Sequence, residues 1–169
     1  IKNRTDVFRN YFEDIASKRN RYRKLRSYYW DDITGYCDYF IHPENSILEI
    51  GCGTGELLAR IKGKRKLGID FSEAMVLKAK SWFPDVEFRV MNAENLLLDE
   101  AFDVIIISNL IGFVHDVQLV FNELNKVCHR RTKIIVTYYN YLWEPLIKFT
   151  ELIGIKSKTP PQNWLSQLD

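Results

Sequence analysis

Ile47-Leu48-Glu49-Ile50-Gly51-Cys52-Gly53-Thr54-Gly55 is the stretch on which the fold turns. A short apolar run leads into three glycines at alternate positions, and a helical pattern follows over residues 55–61. Glycines so spaced let the backbone turn tightly and approach a ligand closely. The helix beyond presents free N–H groups and the positive end of its dipole. Asp70 closes the next apolar run, 19 residues after Gly51. In doubly wound sheets an acid at that place accepts the ribose hydroxyls of a nucleoside. Together these features predict a nucleoside-binding edge at the carboxyl ends of the first two strands.

The rest of the chain repeats the alternation. Apolar runs at 46–50, 66–70, 86–91, 104–108 and 133–139 are rich in Ile, Val and Leu, as strands covered on both faces are. Helical patterns lie between them at 73–82 and 117–128, the second with Val117, Val120, Phe121, Leu124 and Val127 on one stripe. Strand–helix alternation predicts an α/β fold, a doubly wound, mostly parallel sheet. Before it, the chain is helical in character, with no glycine or proline ahead of Gly35 and a stripe of Val7, Phe8, Tyr11, Phe12 and Ile15. A second helical stretch runs over 21–41. The expected layout is a helical N-terminal extension, or lid, over residues 1–42 and a binding core over 43–169, within a single domain.

Composition narrows the function classes. Of 169 residues, 46% are hydrophobic and 27% charged, which excludes a disordered or rod-like chain as the main reading. No apolar run approaches the roughly 20 residues of a spanning helix. Lys and Arg number 24 against 22 Asp and Glu, a balance of +2 that argues against a general nucleic-acid binder. Lys18, Arg19, Arg21, Arg23, Lys24 and Arg26 crowd one segment. They read as a solvated helix face, with a site for an anionic substrate or membrane surface as the sharper alternative. Cys37, Cys52 and Cys128 fit neither a disulfide framework nor a metal site, so a reducing, cytoplasmic compartment is expected and no metal.

The nucleoside is not a dinucleotide by this spacing. The dinucleotide fingerprint would need glycine at 56, where the chain has Glu56. A glutamate at the helix start suits a ligand without phosphate.

Residues 46–139 resemble class I S-adenosylmethionine-dependent methyltransferases. Their acid-x-Gly-x-Gly-x-Gly turn is matched by Glu49-Ile50-Gly51-Cys52-Gly53-Thr54-Gly55, and Gly68-Ile69-Asp70-Phe71-Ser72 is similar to their second motif. The resemblance implies S-adenosyl-L-methionine as cofactor. It implies that the turn of Gly51, Cys52, Gly53 and Gly55 passes under the methionine part, with Glu49 orienting the amino group and Asp70 on the ribose beside Phe71. The third motif reads Met91-Asn92-Ala93-Glu94, with Asn92 where the family has aspartate; its amide oxygen still accepts a bond from the adenine amino group. Ala93 offers a backbone N–H to the ring, and Glu94 completes the motif. Ser108, Asn109 and Leu110, ending the fourth motif, should line the methyl-transfer point.

Three departures from the family pattern stand out. The family's histidine after the fourth strand has no counterpart in register, since His115 stands beside Asp116. Arg130-Arg131-Thr132 replaces the usual Pro-Gly-Gly, so that turn is built differently. The family's last two strands have no room after Tyr139, so they are expected to be missing and the chain to be a fragment of a longer protein. In the tail, residues 138–145 and 160–166 look similar to a bacterial subgroup joined to, or encoded with, glycosyltransferases. That resemblance implies a glycan-type or small-molecule acceptor and a fused or associated glycosyltransferase as partner.

The expected chemistry is in-line methyl transfer, most simply to oxygen, where proximity supplies about 7–11 kcal/mol of the barrier. Oxygen acceptors often call on a general base. His115, Asp116, Tyr138 and Tyr11 are the candidates, His115 with a plain reading as a loop residue and the two tyrosines as packing residues, and Tyr28, Tyr29 and Trp30 are candidates for a lid over the pocket. Rival functions are a nicotinamide-dependent reductase, a non-catalytic cofactor-binding module of a larger protein, and an RNA or protein methyltransferase.

Overall fold

The computed structural model describes residues 4–18, 27–138, 142, 144–153 and 158–163, and of residues 17 and 18 the backbone alone. The basic residues from Arg19 to Arg26, and Tyr139, Trp143 and residues 164–166 of the tail motifs, lie outside the described residues.

Two helices lead, α1 (Arg4–Lys18) and α2 (Ser27–Phe40). Strand and helix then alternate: β1 (Ser46–Ile50), α3 (Glu56–Arg60), β2 (Arg65–Asp70), α4 (Glu73–Trp82) and β3 (Glu87–Val90). The second half holds β4 (Phe102–Ser108), a 3-10 turn (Ile111–Phe113), α5 (Val117–Leu124), β5 (Cys128–Thr137) and α6 (Glu144–Leu152).

The five strands form one parallel sheet in the order β3-β2-β1-β4-β5. Ile50 at the end of β1 stands opposite Ile69 on one side and Ile107 on the other. The chain reverses its direction of travel across the sheet between β1 and β4, and such a switch point opens a crevice at the carboxyl ends of the strands. Among the described residues no strand follows β5.

Alternation along each strand explains why both faces are covered. Leu48, Ile50, Ile105 and Ile107 point to one side, where Val120 and Leu124 of α5 meet them with Leu96 and Leu98. Ile47, Val104 and Ile106 point to the other, against Leu57 and Leu58 of α3, Val76 and Ala79 of α4 and Cys37 of α2. Each such side chain, taken fully out of water, contributes about 1.5–3 kcal/mol. Ser72 caps α4, accepting from Met75 N at 3.3 Å, and Asp116 caps α5 through Leu119 N at 3.1 Å.

The fifth strand departs from expectation. It begins at Cys128, so the helix before it stops at Leu124, short of the expected 128. Phe102 pairs with Cys128 and Val104 with Lys133, so the residues between 128 and 133 bulge out of the ladder. His129 N donates to Thr132 Oγ1 at 2.8 Å, and that hydroxyl donates to Phe102 O at 2.7 Å. These side-chain bonds replace the usual glycine turn, which is how Arg130-Arg131-Thr132 is accommodated inside a strand.

Candidate active site

The crevice is built where β1 ends. Gly51, Gly53 and Gly55 all have positive φ, at 76°, 53° and 79°. Gly55 is confined twice over, because a Cβ there would also lie 2.6 Å from Phe88 Cζ. The same ring closes on Gly68, where a Cβ would meet Phe88 Cδ1 at 2.6 Å and Cys52 Sγ at 3.0 Å. Cys52 is buried in this packing, a small residue between close backbones.

Asp70 ties the two motifs together. Its Oδ2 accepts from Gly53 N at 2.8 Å and its Oδ1 from Ser72 N at 2.9 Å. Three acids gather around the turn, since Glu49, Glu56 and Asp70 are all buried. The Thr54 hydroxyl donates to the Glu56 carboxylate. Glu49 Oε2 is buried with no hydrogen-bond partner. Burial pushes the Glu49 carboxyl well above the ordinary range; the charges of Glu56 and Asp70 add to this, against a lowering hydrogen bond from the Leu58 backbone. Burial among like charges disfavours the ionised form of this carboxyl unless a donor or cation reaches it.

A shallow cleft lies beside the turn. Its floor and sides bring together Gly51, Asp70, Phe71, Asn92, Ala93, Glu94 and Leu110, all expected from sequence, with Ile50 and Met91. Glu49, Cys52, Gly53, Gly55, Ser108 and Asn109 adjoin this lining without belonging to it. The Asn92 amide oxygen accepts from Glu94 N at 3.0 Å, and Glu94 Oε1 accepts from Asp116 N at 2.6 Å. The third motif is thereby braced against the start of α5.

The roof was not read from the sequence. Thr5, Phe113 and Val114 complete the lining. Phe12 of α1 packs edge-on against Phe113 at 5.0 Å and Phe71 at 5.8 Å, and Phe8 meets Phe113 at 5.6 Å. Glu13 anchors α1 to the start of α4, accepting from Ser72 Oγ at 2.9 Å and Ala74 N at 3.2 Å. The aromatic spacing of Phe8 and Phe12 was a visible signal, but nothing local marked Glu13 or Thr5.

At the end of β4, Asn109 holds a left-handed backbone, φ 54°, which asparagine tolerates better than most residues. Its Nδ2 donates to Tyr29 Oη at 2.7 Å and to Ser108 Oγ at 3.4 Å, and Thr137 Oγ1 donates to Ser108 Oγ at 3.3 Å. His115, Tyr138 and Tyr11 do not line the cleft. His115 is exposed in the loop before α5, Tyr138 is exposed just after β5, and the Tyr11 ring packs edge-on to Phe12 at 5.2 Å.

The pattern of the family described as "Methyltransferase domain" matches residues 48–136. The chain belongs to this family of class I S-adenosylmethionine-dependent methyltransferases. The methyltransferase domain is 35% identical over 86 residues to a malonyl-[acyl-carrier protein] O-methyltransferase of Bacillus cytotoxicus, covering 47% of this chain and 30% of that protein. It is 30% identical over 107 residues to the ubiquinone/menaquinone biosynthesis C-methyltransferase of Campylobacter jejuni, covering 57% of this chain and 46% of that one. The chain thus spans less than half the length of these curated relatives. In fold it is similar to a SAM-dependent methyltransferase of Thermotoga maritima, with TM-score 0.74 and 24% identity over 95% of this chain and 75% of the other. The methyltransferase domain's cofactor is S-adenosylmethionine, and a cationic ligand with a ribose and no phosphate fits a turn ringed by buried acids. Among the described residues no helix is long and apolar enough to cross a membrane, and no cluster of His, Cys, Asp and Glu is suited to a metal.

Proposed function

We propose that this chain transfers a methyl group from S-adenosylmethionine to oxygen on a small-molecule or glycan-type acceptor. The reading is carried by one observation: the buried Asp70 carboxylate and the glycine turn are joined at the mouth of the cleft, with the unpartnered Glu49 Oε2 behind them. Asp70 is the residue for the ribose. Glu49 is the residue for the amino group, which would give its unpartnered oxygen a donor directly or through water. Asn92, Ala93 and Glu94 take the adenine, with Phe71 on its flank. Gly51, Cys52, Gly53 and Gly55 give the methionine part its backbone floor.

When bound, the cofactor supplies an activated methyl on a sulfonium. The chain's own share is to hold, align and exclude water. The α1 helix, part of the extension of residues 1–42, serves as a lid through Phe8, Phe12 and Phe113. At the end of β4 the neutral groups of Ser108, Asn109, Tyr29 and Thr137 form a hydrogen-bonded string that suits a hydroxyl acceptor. Oxygen as the methylated atom draws on the O-methyltransferase relative. The glycan class, with a glycosyltransferase partner, draws on the tail motifs read from sequence.

The test is titration of S-adenosylmethionine and S-adenosylhomocysteine into this chain, with Asp70→Ala as control. Micromolar binding lost in the variant is expected. Binding of a nicotinamide cofactor in their place would overturn the assignment. A panel of carboxylic, hydroxyl and sugar acceptors with labelled methyl donor then decides the acceptor.

A further inference from the structure

The tail segment that carries Asn163 reaches back across the fold to the roof of the cleft. Asn163 uses its backbone N–H and both ends of its side-chain amide there. Its backbone N–H donates to Gly112 O at 2.9 Å. Its Nδ2 donates to Val114 O at 2.9 Å and to Ile111 O at 3.3 Å. Its Oδ1 accepts from Arg4 Nη2 at 2.7 Å, and Arg4 also donates to Pro161 O at 3.3 Å. A Cβ on Gly112 would lie 3.5 Å from Asn163 O and 3.6 Å from Gln162 Cβ, so the segment packs directly on the turn. Upstream, Thr159 N donates to Glu151 Oε1 at 3.0 Å, fixing the segment to α6.

Each partner of Asn163 adjoins the cleft. Arg4 precedes Thr5, which lines it from α1. Ile111 and Gly112 lie between the lining residues Leu110 and Phe113, and Val114 is itself part of the lining. Asn163 does not itself line the cleft; it ties the backbone of the turn after β4 to the Arg4 side chain at the start of α1. Thr5, Phe113 and Val114 stand together on one side of the cleft, so parting these two pieces widens it.

We propose that Asn163 is a positioning residue that latches the turn after β4 to the start of α1, and that opening of this latch sets the rate of cofactor exchange. This inference rests on the cleft being the cofactor seat. An asparagine suits the task because one side chain both donates to two carbonyls and accepts from a guanidinium. Aspartate keeps the Arg4 bond and loses both donors.

The experiment measures S-adenosylhomocysteine dissociation by stopped flow, and amide hydrogen exchange of residues 110–116 without ligand, at a temperature where every variant is folded. The variants are Asn163→Asp, which removes the two side-chain bonds to the turn and leaves the backbone one, and Arg4→Met, which removes the bonds from α1. Each should speed dissociation about tenfold, the size expected for one or two lost hydrogen bonds. The double variant should add little to the larger single effect, as for one latch with two arms. Exchange of the 110–116 amides should rise in Asn163→Asp. Dissociation unchanged within about twofold in both folded variants overturns the proposal, since loss of a merely structural contact lowers the unfolding midpoint and leaves the off-rate of the folded protein alone. If the unaltered chain binds no S-adenosylhomocysteine, the cofactor reading fails and the gate with it. Unchanged exchange at 110–116 without ligand would remove the latch even where the cofactor binds.

Discussion

Asp70 Oδ2 accepts the Gly53 N–H at 2.8 Å, so the acid that ends β2 and the turn that follows β1 hold one another in place. The same carboxylate takes the Ser72 N–H, at the start of α4, at 2.9 Å. A single side chain therefore braces two loops and faces the cleft between them.

Asp70→Ala should weaken S-adenosylhomocysteine binding about 100-fold, or ~3 kcal/mol, for the loss of charge-assisted bonds to a diol. Asp70→Asn should lose about tenfold, as one acceptor remains. Calorimetry on both variants checks the ranking, and an Asn variant weaker than the Ala variant would contradict it.

Glu49 gives a pH dependence with a definite sign. Its carboxyl titrates well above the ordinary range in the folded chain, chiefly through burial. The folded state thus binds a proton that the unfolded state has released. Stability is highest below the ordinary glutamate pKa and falls as pH rises from there through the raised value. A cationic cofactor favours the carboxylate, so binding should release a proton and tighten as pH rises through the same window. Calorimetry in buffers of different ionisation enthalpy reads that proton, and Glu49→Gln should abolish its release.

Gly68→Ala places a methyl 2.6 Å from Phe88 Cδ1. The clash should cost about 1–3 kcal/mol of stability, as overpacked cores do. Phe88→Leu in the same chain should recover part of that loss. Urea unfolding of the two singles and the double measures the coupling, and strict additivity would count against ring contact as the cause.

The cysteines should prove inert in the order of their burial. Desolvation, with the charges of Glu49 and Asp38, pushes the Cys37 thiol up to about 11, and Cys52 is also raised by burial. Cys128 is half-exposed and should react first with a thiol reagent at pH 8, while Cys37 and Cys52 react only on unfolding. Timed labelling with mass spectrometry resolves the three.

What could be read from the sequence was whatever has a local cause. The glycine turn announces itself because three positive-φ positions fall within five residues. Asp70 follows from its place at the end of a strand. The caps at Ser72 and Asp116 lie next to the helices they start. Residues whose role depends on a distant partner left no such mark. Glu13 has its function from Ser72 and Ala74, reached only when α1 folds across α4. The bulge in β5 needs the Phe102 carbonyl from another strand. Tyr29 was named as a lid residue, but its bond to Asn109 spans 80 positions. Asn163 sat in a motif singled out by resemblance to a bacterial subgroup, and its bonds to Arg4 and Val114 reach across 159 and 49 positions.

The bond between Arg4 and Asn163 joins positions 159 apart, whereas all five strands lie between Ser46 and Thr137. The strand pairings need nothing from the tail, so a folding chain can have the floor of the cleft in place while its roof is still unfastened.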